Sequence, residues 1–310
     1  MSAAPSVLFD VPGPRAARLY RILGVVSLVL LVGLLYLIYR GLAQPDNNQF
    51  TAAKWAPFLT SEAWTAYFIP GILATLRAAA ISVVLASILG VLLGMGRLSE
   101  VRVLRIVCGV FVEFFRSVPV LMMMLFSYYL GLFSLGITGP NLALFGVVAG
   151  LTFYNSCVIA ELIRSGVHSL PRGQGEAGLA IGMTPTQTLV TVLLPQAITA
   201  MLPSLISQLV VILKDSALGY IISYSELIRA GQNFSTSKGN LIPTLMVVAL
   251  LFIVMNYGLT RIARLLEKRL QRSARGPRNT PADPLLNPAM ATGAAASAAA
   301  PPAGGVSASV

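Results

Sequence analysis

Long stretches of apolar residues, each close to 20 residues, constrain the fold of this chain more than any other feature of its sequence. A helix needs about 20 residues to cross the hydrocarbon core of a bilayer. It also satisfies its own backbone hydrogen bonds, as lipid requires. Only 11% of the 310 residues are charged, against roughly 25% in an average soluble domain. The fold class is therefore an all-α integral membrane protein.

We predict about six transmembrane helices in this sequence. Their approximate bounds are 22–39, 70–96, 106–135, 142–163, 197–222 and 243–260. The third contains Glu113 and Arg116, so its crossing is expected to begin near Ser117. The first could be a signal peptide, but its apolar stretch exceeds the roughly 7–15 residues of such a peptide's core. We therefore favour an uncleaved first helix.

The net charge of +11 is distributed around the ends of the apolar stretches. Basic residues cluster at Arg15, Arg18 and Arg21, at Arg97, Arg102 and Arg105, and within 261–278. Such clusters mark cytoplasmic segments, so both termini are predicted to be cytoplasmic. A partner nucleic acid is not expected, because the basic residues follow the predicted membrane boundaries and form no nucleic-acid motif.

The polar segment between the fourth and fifth predicted spans shows the start and stop signals of helices. A helix is predicted to begin near Pro171 and to end at Gly182, a residue type that tolerates the left-handed conformation. Thr184, Pro185 and Gln187 then form the pattern of a capping box. Two short helices should meet at a bend around Gly182 and Met183. A solvated linker is the alternative to a docking element.

The same segment resembles a known family. The run Glu176-Ala177-Gly178-Leu179-Ala180-Ile181-Gly182, followed by Leu194-Pro195, is similar to the Glu-Ala-Ala loop in permeases of binding-protein-dependent ABC importers. Further stretches resemble the polar amino acid branch, and they lie at 113–119, 160–166, 213–218 and 226–229. The likeness extends from about 70 to 267, and glutamate-uptake permeases of high-GC Gram-positive bacteria look most similar.

This resemblance implies a type I ABC importer permease core of the bacterial plasma membrane. The coupling loop to the ATPase would contain Glu176, Ala177, Gly178, Gly182, Met183 and Pro195. The chain would be no enzyme and would hold no cofactor, because a partner ATPase dimer would bind ATP and Mg²⁺ and hydrolyse the nucleotide. A second permease subunit and an extracellular substrate-binding protein would complete the importer, which would take up glutamate or another polar amino acid.

The likeness also suggests a domain organisation in three parts. Residues 1–69 would form an additional first helix and an outside loop, 70–267 the importer core, and 268–310 a disordered cytoplasmic tail rich in alanine. The alternative function is an ion-gradient-driven secondary transporter of a polar solute. Such transporters often contain internal repeats, and no convincing repeat is present in the sequence.

Four charged residues at or near predicted spans are candidates for the substrate pathway, namely Arg116, Glu161, Lys214 and Asp215. Ionisable groups at membrane depth usually face protein or water, so structural pairing is the preferred alternative to substrate contact. Lys214 and Asp215 are adjacent and point about 100 degrees apart on a helix, so each should have its own partner. We predict no catalytic residue and no metal site, and a packing role for both cysteines.

Overall fold

The fold of this chain consists of α-helices joined by short segments. The computed structural model describes residues 13–44 and 48–274, so the predicted disorder of 275–310 lies outside the described residues. The helices are α1 (Pro14–Ala43), α2 (Ala52–Trp55), α3 (Ile69–Leu98), α4 (Arg102–Ser117), α5 (Val120–Phe133), α6 (Pro140–His168), α7 (Arg172–Ala180), α8 (Pro185–Gln187), α9 (Leu194–Asp215), α10 (Leu227–Lys238) and α11 (Leu241–Ala274). Short 3-10 or π segments extend several of them.

Five stretches of the described chain are long and apolar enough to cross a membrane, or six if the bent pair α4 and α5 is one span. The five are Pro14–Ala43, Ala63–Leu98, Pro140–His168, Pro185–Ile222 and Leu241–Leu265. The prediction of an all-α membrane protein with about six spans is confirmed. The predicted tail begins too early, because α11 continues through Ala274.

The third predicted span, 106–135, is wrong as a single helix, because α4 and α5 meet at an angle of 103°. Val118 has extended backbone angles between the two helices. The following Pro119 disfavours a helical conformation at Val118 and has no N–H with which to continue a helix. The charged residues of this region lie on α4, and α5 is entirely uncharged.

Helix α6 lies at the centre of the bundle and packs against α3, α4, α5 and α9. Glycines bring α3 close to α6. A Cβ atom at Gly90 would lie 2.7 Å from the Cβ of Ile159, and one at Gly94 would lie 3.2 Å from the Cβ of Ile163. Membrane helices lack a hydrophobic driving force between them, so such close backbone approach is a main source of packing energy.

The bundle has two ends, which we name after the short helices there. At the α7 end, the chain turns from α6 through α7 and α8 into α9. At the α10 end, α10 occupies most of the segment between the fifth and sixth predicted spans, and Glu226 caps it by accepting hydrogen bonds from the N–H groups of Ile228 and Arg229. Lys54 ties the segment after α1 to this end through a 2.5 Å hydrogen bond from Nζ to the carbonyl of Gly239.

Candidate functional site: the α7 end and two polar sites in the bundle

Helix α7 is a short helix that ends just before the predicted glycine, Gly182. Pro171 is its N-cap, and Gly182 has a φ of 84°, in the left-handed region that favours glycine. The N–H of Met183 donates to the carbonyl of Gly178 at 3.2 Å, which closes the turn after the helix. The predicted bend at Gly182 and Met183 is confirmed.

The chain beyond this bend differs from the prediction of a second, separate short helix. The predicted capping box is present: the N–H of Thr184 donates to Oε1 of Gln187 at 2.8 Å, and the N–H of Gln187 donates to Oγ1 of Thr184 at 3.3 Å. The capped turn continues, however, through a π-helical segment into α9. The fifth span therefore begins at Pro185, not near Ala197, and the bend is joined directly to a helix that crosses the bundle.

The surface of α7 divides into an exposed face and a packed face. Glu176 and Ala177 are exposed, and so are the apolar side chains of Leu179 and Ile181, which are 51% and 79% exposed. Gly178 is buried against Thr188. Exposed apolar side chains beside a charged one are typical of a surface that contacts another protein.

Gly178 controls how closely α7 approaches the start of the fifth span. A Cβ atom there would lie 2.7 Å from Cγ2 and 2.9 Å from Oγ1 of Thr188. The sequence indicated only that glycine weakens the helix; the structure adds that the glycine is needed for the contact.

We therefore expect Gly178→Ala to separate α7 from the fifth span and to lower the transport that the family resemblance implies, despite the roughly 1 kcal/mol gain in helix propensity. Thr188→Ala should have little effect, since the Oγ1 of Thr188 has no hydrogen-bond partner among the described residues. The double variant Gly178→Ala/Thr188→Ala should recover transport, measured as ATP-dependent solute uptake. Equal defects in the single and double variants would contradict this explanation.

Glu161 is the centre of a charge cluster near the α7 end. Its Oε2 accepts a 2.6 Å hydrogen bond from Nη1 of Arg97, and its Oε1 accepts one of 2.6 Å from Nη2 of Arg164. Arg97 also contacts Glu113 at 3.1 Å, whereas Arg116 lies 3.9 Å from Glu161. Three arginines and two glutamates from α3, α4 and α6 thus hold these helices together.

The four predicted pathway residues therefore fall into two groups. Arg116 and Glu161 belong to the charge cluster, the structural pairing that the sequence favoured. Lys214 and Asp215 lie at the end of α9, toward the α10 end. The expectation of a separate partner for each is not met within the described chain, where neither side chain forms an ion pair.

Sequence reasoning missed Arg77, which lies in α3 and lines a cavity of about 430 Å³ at the α10 end. The other polar residues of the lining include Tyr128, Asn141, Ser223 and Ser225. The sequence contains a signal for this residue, because Arg77 is the only charged residue between 70 and 96. A single charge inside an otherwise apolar span is a functional candidate by default.

Comparison with known proteins connects this architecture to a transport family. Residues 86–272 match the family described as the binding-protein-dependent transport system inner membrane component. The chain is 48% identical over 233 residues to the glutamate transport system permease protein GluD of Corynebacterium glutamicum, covering 75% of this chain and 85% of the relative. It is 35% identical over 212 residues to the probable glutamine ABC transporter permease protein GlnP of Bacillus subtilis, covering 67% and 96%.

Solved structures support the same assignment. The crystal structure of an amino acid ABC transporter with histidines has a chain that is 28% identical and superimposes with a TM-score of 0.60, covering 66% of this chain and 95% of that one. A methionine ABC transporter, MetNI, in an inward-facing conformation shares the fold with a TM-score of 0.56 at 20% identity. The chain thus belongs to the inner membrane components of binding-protein-dependent transport systems, and it is an ABC importer permease, not an ion-gradient-driven secondary transporter.

Proposed function

We propose that this permease imports glutamate or another polar amino acid. The support is the 48% identity to a permease named for glutamate transport, together with relatives named for glutamine and for glutamate and aspartate. A transporter of such solutes needs polar or charged groups at membrane depth, and this chain has Arg77, Lys214 and Asp215 in its spans.

We infer that the α7 end faces the cytoplasm of a bacterial cell, and that both termini lie on that side. Basic residues near the α7 end include Arg97, Arg102, Arg105, Arg164 and Arg172. Fewer basic residues lie near the α10 end, among them Lys54 and Lys238. Positive residues concentrate on the cytoplasmic side of membrane proteins, which supports this orientation.

In this proposal, the permease works with ATPase subunits, a substrate-binding protein and a second permease subunit. A dimer of ATPase subunits binds ATP and Mg²⁺ and contacts α7 from the cytoplasm. A substrate-binding protein delivers the solute at the α10 end. A second permease subunit, identical or related, completes the pathway around the core at 70–267, to which the first helix and the C-terminal tail are additions.

The observation that carries the mechanism is the direct connection between the exposed α7 and a spanning helix. The stretch Pro185–Ile222 is helical throughout, and only the type of helix changes along it, between α, π and 3-10. When the ATPase subunits close, a displacement of α7 is therefore transmitted through Gly182 and the capped turn into this span. Glu176 and Ala177 form the contact surface, Gly178 and Met183 fix the geometry, and Pro195 lies in the first turn of α9.

We expect Glu176→Lys to abolish most of the coupling between ATP hydrolysis and transport, because it reverses the charge of an exposed side chain in the proposed ATPase contact. The matched control is Glu100→Lys, an exposed reversal in the segment between α3 and α4 at the same end. The measurements are solute uptake and the stimulation of ATPase activity in the assembled importer. Normal uptake and normal ATPase stimulation in Glu176→Lys would remove Glu176 from the coupling surface.

The cargo is tested by uptake of radiolabelled glutamate in cells with and without the gene, in competition with unlabelled aspartate, glutamine and arginine. Gene-dependent glutamate uptake that aspartate or glutamine reduces, and arginine does not, is the expected result. Uptake of arginine but not of glutamate would contradict the proposed cargo while leaving the family assignment intact.

A further inference from the structure

We propose that the cavity at the α10 end binds a carboxylate of the transported solute, with Arg77 as the group that recognises it. This inference rests on the proposed function, because it takes the solute to be an amino acid. It adds a recognition site in the permease itself, distinct from any site in a substrate-binding protein.

Arg77 lies inside a stretch that is long and apolar enough to span the membrane, Ala63–Leu98. It is eight residues from the first residue of α3, which corresponds to roughly 12 Å along the helix axis. The side chain is exposed within the isolated chain. A guanidinium within a spanning stretch is costly unless it faces water, protein or a ligand.

No acidic side chain of the described residues neutralises this guanidinium. Within residues 13–44 and 48–274, no carboxylate oxygen lies within 4.0 Å of Arg77. By contrast, Arg97 near the other end of the same helix contacts two carboxylates. The site at Arg77 is therefore ready to accept an anion.

An acidic residue next in sequence to the cavity lining does not act as the missing counter-charge. Both carboxylate oxygens of Glu226 accept backbone hydrogen bonds, from Ile228 at 2.8 Å and from Arg229 at 2.7 Å. Burial raises the pKa of the Glu226 carboxyl to about 7, against the effect of those two N–H groups. A carboxyl with a raised pKa is a weak counter-charge, so the positive charge of Arg77 is left for a ligand.

The cavity around Arg77 has the size and the polar lining of a small-molecule site. Its volume of about 430 Å³ falls within the range of roughly 300–1,000 Å³ of small-molecule sites. Tyr128, Asn141 and two serines supply hydrogen-bonding groups to the lining. One wall is fixed, because the hydroxyl of Tyr224 donates to the carbonyl of Ala74 at 2.8 Å. The planar fork of a guanidinium can hold both oxygens of a carboxylate.

The position of the cavity fits a role early in transport. It lies where the outer ends of α3 and α6 meet the segment Ile222–Ser225, at the end where the substrate-binding protein is proposed to dock. Solute released there would meet Arg77 before it reached the charge cluster at the α7 end. Every amino acid has an α-carboxylate, so this contact would retain glutamate and glutamine alike.

The experiment compares variants of the full importer, with its ATPase and binding protein, in proteoliposomes that take up radiolabelled glutamate or glutamine. Arg77→Gln should lower uptake by at least about tenfold, as expected for loss of one charge-assisted contact, and Arg77→Lys should retain more uptake than Arg77→Gln. The matched control Arg102→Gln removes an exposed arginine outside the cavity and should transport normally.

A second variant keeps the test decisive if Arg77→Gln fails to fold. Asn141→Asp changes an exposed lining residue to a carboxylate of nearly the same shape. This carboxylate should form an ion pair with Arg77 in place of the solute and lower uptake as well. Wild-type uptake in Asn141→Asp, or in folded Arg77→Gln, would overturn the proposal. Loss of the second permease subunit from purified Arg77→Gln would also overturn it, by assigning Arg77 to the subunit interface.

The same assay separates this inference from the proposed cargo. If the wild-type importer takes up glutamine but not glutamate, the cargo proposal fails. Loss of glutamine uptake in Arg77→Gln would then still support a carboxylate site, because glutamine retains its α-carboxylate. If glutamate is the cargo and Arg77→Gln transports it normally, only the inference about the cavity fails.

Discussion

Replacing Gly150 with alanine is expected to remove most of the folded permease from the membrane. Gly150 lies in the centre of α6, where a Cβ atom would be 2.6 Å from the backbone nitrogen and 2.7 Å from the Cα of Met124 in α5. A flexible side chain could move away, but a helix backbone cannot without displacing α5. Overpacking in cores typically costs about 1–3 kcal/mol, and this backbone clash should fall at or above the upper end.

The matched control is Gly109→Ala. Gly109 is also a helical glycine, in α4, but a Cβ atom there would meet nothing within 4 Å, so alanine should leave the fold unchanged or slightly stabilise the helix. Membrane abundance and thermal stability in detergent are the measurements. Equal stability of the two variants would contradict the close α5–α6 packing.

Replacing Glu161 with glutamine is expected to produce the second large effect, a loss of stability at the α7 end. The change removes the negative charge and replaces one of the two acceptor oxygens with an NH2 donor, so Arg97 and Arg164, whose side chains are 12% and 36% exposed, no longer share a carboxylate. Hydrogen bonds to charged groups contribute about 1.5–3 kcal/mol, and partial exposure lowers that value. We expect a loss on the order of 2 kcal/mol, measured as the thermal stability of the purified importer.

Glu113→Gln provides the comparison for this cluster. The Glu113 side chain is 61% exposed and makes a single 3.1 Å contact with Arg97, so its loss should cost less than about 1 kcal/mol. The double variant Glu161→Gln/Arg97→Gln should be more stable than the sum of the single effects predicts, because it leaves less unpaired charge. Similar losses for Glu161→Gln and Glu113→Gln would show that Glu161 is not the centre of the cluster.

Local patterns predicted the parts of this structure that depend on neighbouring residues. The capping box at Thr184 and Gln187 and the left-handed Gly182 were predictable because a few adjacent residues satisfy the backbone there. The charge cluster was only partly predictable. Glu161 was expected to pair, but the arrangement of three helices that gives it Arg97 as a partner is a tertiary feature without a local signal.

Two features were missed for different physical reasons. The fifth span was predicted to begin near Ala197, because the polar residues before Leu194 are typical of a loop. In the structure the helix continues through these residues after it leaves the membrane, back to the turn at Thr184. Arg77 was missed although a lone arginine in an apolar stretch is visible in the sequence. Its importance depends on the lack of an ion-pair partner in the described chain, which only the structure shows.

The energy source of transport distinguishes an ABC importer permease from a gradient-driven transporter. Vesicles that contain this permease, its ATPase and its binding protein allow ATP and the ion gradients to be removed separately. For an ABC importer permease, amino acid uptake is expected to stop without ATP and to continue when ionophores collapse the gradients. Uptake that continues without ATP and stops with the ionophores would contradict the assignment of this chain as an ABC importer permease.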